Sequence, residues 1–188
     1  IVGLKGLLRR IIGHQVGRAL FRVSAGLNNS VAIHGHTMII GTETQHPPIA
    51  MAMGTYEQET TRLFEQTVQS GMTVVDIGAH VGYYTLLAAK NTGPSGKVYA
   101  FEPEPNNYAL LKKNVELNHY ENIHVENKAV YSSAGSAELY LTQLDSGRHS
   151  MYQHEIPQSG RLEIETVTLD DFLCQIACRH VDLIKVDV

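Results

Sequence analysis

Val74-Val75-Asp76-Ile77-Gly78-Ala79-His80-Val81-Gly82-Tyr83-Tyr84-Thr85 is an apolar run that passes through two glycines into residues at helical spacing. Thr73 to Ile77 reads as a strand, Gly78 to Gly82 as a turn, and Tyr83 to Lys90 as a helix. Glycines at such a turn permit a tight bend and close approach of a ligand to the backbone, while the helix start offers unpaired N–H groups. The alternation continues downstream, with a strand over Lys97 to Phe101, a helix over Pro105 to Asn118 and a strand over Ile123 to Glu126. Strands and helices alternating at this spacing imply βαβ units, hence an α/β fold with a mostly parallel sheet and helices on both faces. Such sheets bind ligands at the carboxyl edge of their strands.

Outward from this centre, Thr55 and Gln58 have the spacing of a capping box, and Leu63, Phe64 and Val68 give the apolar stripe of a helix over Tyr56 to Gln69. Val31 to Ile40 reads as two short strands turning near Gly35. The first 25 residues carry apolar positions at helical spacing with Lys5, Arg9, Arg10, Arg18 and Arg22 between them, and no acid occurs before Glu43. That is a basic amphipathic helix, docked on the domain or in contact with a membrane surface or an anionic partner. Residues 1–54 are therefore set apart as an N-terminal segment, and 55–188 as the ligand-binding domain.

Ser136 to Thr142 and Leu162 to Thr168 read as an antiparallel excursion around a polar loop, followed by a helix over Leu169 to Cys178 with Asp170 and Asp171 near its start. Val181 to Val188 is apolar on both faces, the pattern of a strand buried within a parallel sheet. A sheet that stopped there would leave an edge open to pairing, so a chain ending at Val188 is expected to be oligomeric or poorly soluble. The domain is expected to continue for roughly 60 to 120 residues more to reach ordinary size.

The chain has 188 residues, 15 basic against 19 acidic and a net charge of −4, which argues against nucleic acid as a partner. Cys174 and Cys178 are the only cysteines, four residues apart on an expected helix, a poor disulfide geometry that points to a reducing, cytoplasmic setting. As thiols one helical turn apart they read as buried apolar filler. No apolar run reaches the roughly 18 residues a membrane span needs. Ten histidines invite a metal, but neither HExxH nor CxxC occurs, and no metal is expected.

Charge separates two cofactor classes that use a glycine turn of this kind. A dinucleotide favours G-x-G-x-x-G, whereas Gly78 and Gly82 form G-x-x-x-G with Asp76 at its mouth, where a carboxylate would repel a pyrophosphate. S-adenosylmethionine lacks phosphate and carries an ammonium and a sulfonium, which suit an acidic mouth. Glu102 ends the next strand, where a carboxylate can accept hydrogen bonds from both hydroxyls of a ribose; this serves either class.

The runs VVDIGAHVGYYTLLAAK, VYAFEPEPNNYALLKKN, VTLDDFL and VDLIKVDV occur here in the order in which the FkbM-type family of S-adenosylmethionine-dependent methyltransferases has them. Over about residues 50 to 188 the chain resembles that family. The resemblance implies a Rossmann-like methyltransferase fold, S-adenosyl-L-methionine as cofactor, and O-methylation of a hydroxyl on a sugar, polyketide or related metabolite. It implies cofactor-binding roles for Asp76, Gly78, Ala79, His80, Gly82 and Tyr83 on the methionine side, for Glu102 and Pro103 at the ribose, and for Asn127 and Lys128 near the adenine. Two positions depart from the family pattern: His80 stands where Asn is frequent, and Lys128 where many methyltransferases have an acid.

Methyl transfer to a hydroxyl asks for alignment, a dry pocket and a base. Asp187, at the end of the last strand, is the first candidate base, and burial there would make it a stronger one. His149 in the loop Ser146-Gly147-Arg148-His149-Ser150 is the second, with Arg148 placed to bind an anionic substrate. A small-molecule or glycan acceptor is the expected partner. The alternatives are an NAD(P)-dependent oxidoreductase, disfavoured by the missing middle glycine, and a non-catalytic domain that keeps the fold.

Overall fold

The computed structural model of the chain describes residues 30–39, 50–51, 54–142 and 158–187. In chain order the elements are β1 (Ser30–Ile33), β2 (His36–Ile39), α1 (Gln58–Thr67), β3 (Thr73–Ile77), α2 (Tyr83–Thr92), β4 (Lys97–Phe101) and α3 (Pro105–Leu117). There follow β5 (Ile123–Glu126), β6 (Ala129–Val130), β7 (Gly135–Thr142), β8 (Gln158–Val167), α4 (Leu169–Gln175) and β9 (Leu183–Val186). The expected basic helix before residue 26, and the loop with Arg148 and His149, lie outside the described residues.

The central sheet has the order β5-β4-β3-β9, and all its pairings are parallel. From β3 the chain crosses to β4 on one side, while β9 returns to pair with β3 on the other, so the order reverses at β3. The turn after β3 thus lies at the switch point, where flanking loops diverge and leave a crevice.

Alternation along the strands divides the core between two faces. Val74, Val98 and Ala100 face α2 and α3, where they pack with Leu86, Leu87, Leu111 and Val115, while Val75, Ile77, Tyr99 and Phe101 face the other way and pack with Phe172 of α4. The rings of Phe101 and Phe172 meet edge to face at 4.8 Å between centroids. Helix α2 is buried from Tyr83 to Ala89, because α1 and the β1–β2 hairpin cover the side that the sheet does not. The hairpin is held by side chains rather than by a strand. Asn114 accepts from the Ile39 amide (2.7 Å) and donates to the carbonyls of Ile39 (3.0 Å) and Val81 (2.8 Å). One helical turn on, Asn118 does the same to the amide and carbonyl of Thr37.

Several expectations need correcting. The capping box does not form: Thr55 donates its hydroxyl to Ala50, Gln58 donates to the Gly54 carbonyl, and the N-cap is Glu57 in a left-handed conformation (φ 38°). Strand β8 begins at Gln158, earlier than expected, and pairs antiparallel with β7. Helix α4 starts on a Thr168 cap that accepts from the Asp171 amide, and ends at Gln175 because Ala177 turns left-handed (φ 52°). Cys174 is exposed, not apolar filler. Among the described residues β9 is the last strand on its side of the sheet, and Ile184 (48%) and Val186 (60%) are exposed there, the open edge expected of a sheet that stops at this strand. Leu183 and Lys185 point to the covered face instead. No helix among the described residues is long and apolar enough to cross a membrane.

Candidate functional site

Parallel pairing brings the carboxyl ends of β3, β4, β5 and β9 to one edge, and with them Gly78–Gly82, Glu102, Asn127 and Asp187. The turn is bound to β4 by its backbone, since the amides of Gly78 (3.0 Å) and Ala79 (2.9 Å) both donate to the Phe101 carbonyl. Gly78, His80 and Gly82 have positive φ (78°, 52° and 97°). Histidine and asparagine are among the residues that tolerate the left-handed region, which gives His80 a conformational reason to replace Asn. At Gly82 the positive φ favours glycine, and a Cβ would stand 2.7 Å from Leu111 Cδ1, which would have to shift to admit it.

Glu102 is the electrostatic centre of this edge. Its carboxylate accepts from the His80 amide at Oε2 (2.8 Å), and from the Glu104 amide (3.0 Å) and Asn107 Nδ2 (3.4 Å) at Oε1. Burial pushes its pKa up to about 7, against the opposing pull of these donors. A carboxylate oxygen accepts more than one bond, so Glu102, fixed between the turn and α3, retains capacity for ligand hydroxyls. Asn127 donates from Nδ2 to the carbonyls of Glu102 (2.8 Å) and Pro103 (3.0 Å), which secures the turn between β4 and α3 from the β5 side. Its Nδ2 is thereby engaged in holding the site together.

Asp76 lies beneath the turn and not at its mouth. The side chain is fully buried on the α2 face of β3, where Oδ2 accepts from Thr85 Oγ1 (2.6 Å) and Oδ1 stands 3.1 Å from Lys185 Nζ. That contact falls outside hydrogen-bonding geometry, so it is an ion pair and Oδ1 has no hydrogen-bond partner among the described residues. The acidic mouth inferred from sequence is in this sense neutralised from β9. Tyr83 is also turned to the interior: its hydroxyl meets His34 Nε2 (2.9 Å) and Thr61 Oγ1 (3.2 Å), and its ring packs against Tyr56. Lys128 pairs with Glu165 of β8 at 2.8 Å, which raises its pKa and engages the ammonium.

Asp187 sits at the same edge, its amide donating to the Ile77 carbonyl (3.0 Å). Its side chain is 61% exposed, at the end of the last described strand. Sequence pattern singles out neither Lys185 nor the asparagines of α3. For Lys185 the available signal is one cation within the apolar run that ends the chain. A separate cleft of about 740 Å³, lined in part by Lys97, Tyr120, Asn122 and His124, opens at the amino ends of β4 and β5, the edge opposite the glycine turn.

Among known proteins, the family described as Methyltransferase FkbM domain matches residues 76–188. Methyltransferase 1 of Beauveria bassiana (strain ARSEF 2860) is 23% identical over 133 residues, covering 61% of this chain and 53% of that protein. Methyltransferase sdnD of Sordaria araneosa is 26% identical over 144 residues, covering 61% of this chain and 55% of that protein. The chain thus spans about half the length of these relatives. The crystal structure of a SAM dependent methyltransferase from Aquifex aeolicus is 28% identical, with a TM-score of 0.33 over 37% of this chain and 36% of that one. With the family matched from Asp76 across the turn, Glu102 and Asp187, the chain belongs to the FkbM methyltransferase-domain family.

Proposed function

We propose that the chain forms the cofactor-binding part of an S-adenosylmethionine-dependent methyltransferase acting on a hydroxyl of a sugar, polyketide or related small metabolite. The observation that carries this reading is the coupling of the glycine turn to Glu102: one carboxylate oxygen takes the His80 amide while the other is held by α3. A ligand with two adjacent hydroxyls on a ribose would meet Glu102, and its amino-acid end would lie along the backbone of Gly78–Gly82. S-adenosylmethionine supplies an activated methyl group on its sulfonium. The chain's own part is to orient the cofactor from the turn and Glu102, and to accept the acceptor hydroxyl's proton at Asp187, whose carboxylate stands at the same edge and open to solvent.

The direct test is calorimetric titration of the 188-residue chain with S-adenosylhomocysteine and, separately, with NADH. Binding of the first alone supports the proposal. Binding of NADH alone overturns it in favour of a dinucleotide enzyme, and binding of neither removes the cofactor assignment. The acceptor class is tested by incubating the chain with labelled S-adenosylmethionine and panels of sugars and polyketides. Label transferred to nitrogen or carbon and never to oxygen would reject O-methylation.

A further inference from the structure

Lys185 stands directly opposite Asp76 in the pairing of β9 with β3. From there its ammonium reaches three acceptors at once. It lies 3.1 Å from Asp76 Oδ1, donates to the Gly78 carbonyl at 3.1 Å, and stands 3.7 Å from Asp187 Oδ2. The ring of Tyr84 closes over it at 5.2 Å. With its side chain only 14% exposed, the ammonium has given up most of its hydration, and the surrounding oxygens replace it.

Neutralising a buried aspartate requires a cation near it and nothing more, yet the only hydrogen bond of good geometry that Lys185 makes among the described residues goes to the first carbonyl of the glycine turn. The turn is gripped on its β4 side through the amides of Gly78 and Ala79. On its β9 side Lys185 is the side chain that holds it. We propose that Lys185 is a positioning residue for the cofactor turn, fixing the Gly78 peptide against β9 and steering the Asp187 carboxylate over the same edge. This inference rests on the S-adenosylmethionine reading above. In this role Lys185 acts through Gly78 and Asp187.

The competing explanation is that Lys185 serves only to balance the charge of Asp76, and a thermodynamic cycle separates the two. S-adenosylhomocysteine affinity and melting temperature are measured for the parent, Asp76→Asn, Lys185→Met and the double variant Asp76→Asn/Lys185→Met. Lys185→Met alone leaves a buried carboxylate uncompensated and is expected to melt lower; the single and double variants that include Asp76→Asn lack that charge and should fold comparably. If Lys185 positions the turn, adding Lys185→Met to the Asp76→Asn background weakens S-adenosylhomocysteine binding about tenfold with little change in melting temperature. Equal affinities for Asp76→Asn and the double variant would show that Lys185 acts through Asp76 alone and would overturn the proposal. A parent that does not bind S-adenosylhomocysteine rejects the cofactor reading itself, and the positioning role with it.

Discussion

Glu102 makes a pH argument possible at a single residue. Its pKa is pushed up from 4.5 to about 7, first by burial, so between those values the folded chain holds a proton that the unfolded chain has released. A state that binds more protons loses stability as pH rises, so this group favours folding below pH 4.5 and its contribution declines up to about pH 7. The full effect is about 3 kcal/mol, taking about 1.4 kcal/mol per unit. Ligand hydroxyls favour the charged acceptor, so S-adenosylhomocysteine affinity should rise through the same window and level off above it. Melting temperature and affinity measured from pH 5 to 8 check both trends, and both should flatten in Glu102→Gln. An affinity that does not respond to pH in the parent would place the ribose elsewhere. The placement of Glu102 at the end of β4 was legible from spacing. Its burial was not, because that depends on His80 and α3 closing over it. Asp76 was legible as a position but not as a buried group, since the cation that meets it is contributed by β9 from the far end of the chain.

Among the elements, β3, β4 and β5 were read to the residue, because their β-branched and apolar runs are bounded by turn residues; β3 and β4 are in addition covered on both faces. Helix starts were less legible, as at α1, where Thr55 bonds backward to Ala50 and never caps. Gly82, at the join between β3 and α2, and Gly54, ahead of α1, offer a sharp comparison. Gly82 has φ 97° and Leu111 Cδ1 2.7 Å from where a Cβ would stand, whereas Gly54 has φ 64° and no atom of the described residues within 4 Å of one. Gly54→Ala should therefore cost only backbone strain, about 1 to 2 kcal/mol. Gly82→Ala adds a steric clash with α3 and should cost about 1 to 3 kcal/mol more. Urea denaturation of both variants measures the difference, and Leu111→Ala combined with Gly82→Ala should recover part of it. Equal costs at the two glycines would mean that α3 yields freely and does not define the turn.

At the scale of the molecule, the central sheet of the described residues ends at β5 on one side and at β9 on the other. Among the described residues β9 pairs on one side only, with β3, and presents Ile184 and Val186 exposed, an arrangement that recruits further strands. The 188-residue chain should accordingly show concentration-dependent association by light scattering, and Ile184→Lys with Val186→Lys should shift it toward monomer. Association unchanged in that variant would exclude the β9 face as its cause. At this scale the fold class and the alternation of the central strands and helices were legible from sequence, whereas the two-residue β6 was not, nor the hairpin's attachment, because asparagines on a helix carry no pattern that announces a strand beside them.

Asn114 has a kinetic consequence as well. It joins the Ile39 peptide to the Val81 carbonyl inside the glycine turn, so the hairpin cannot lift without loosening the turn that follows β3. The Ile39 amide has a side chain as its lid, and its exchange with deuterated water is governed by how often Asn114 lets go. A ligand that stills the turn should slow that exchange at a residue it never touches, and Asn114→Ala should abolish the slowing. Mass-resolved exchange with and without S-adenosylhomocysteine would make a backbone proton of the N-terminal hairpin into a clock for occupancy at the opposite end of the asparagine side chain.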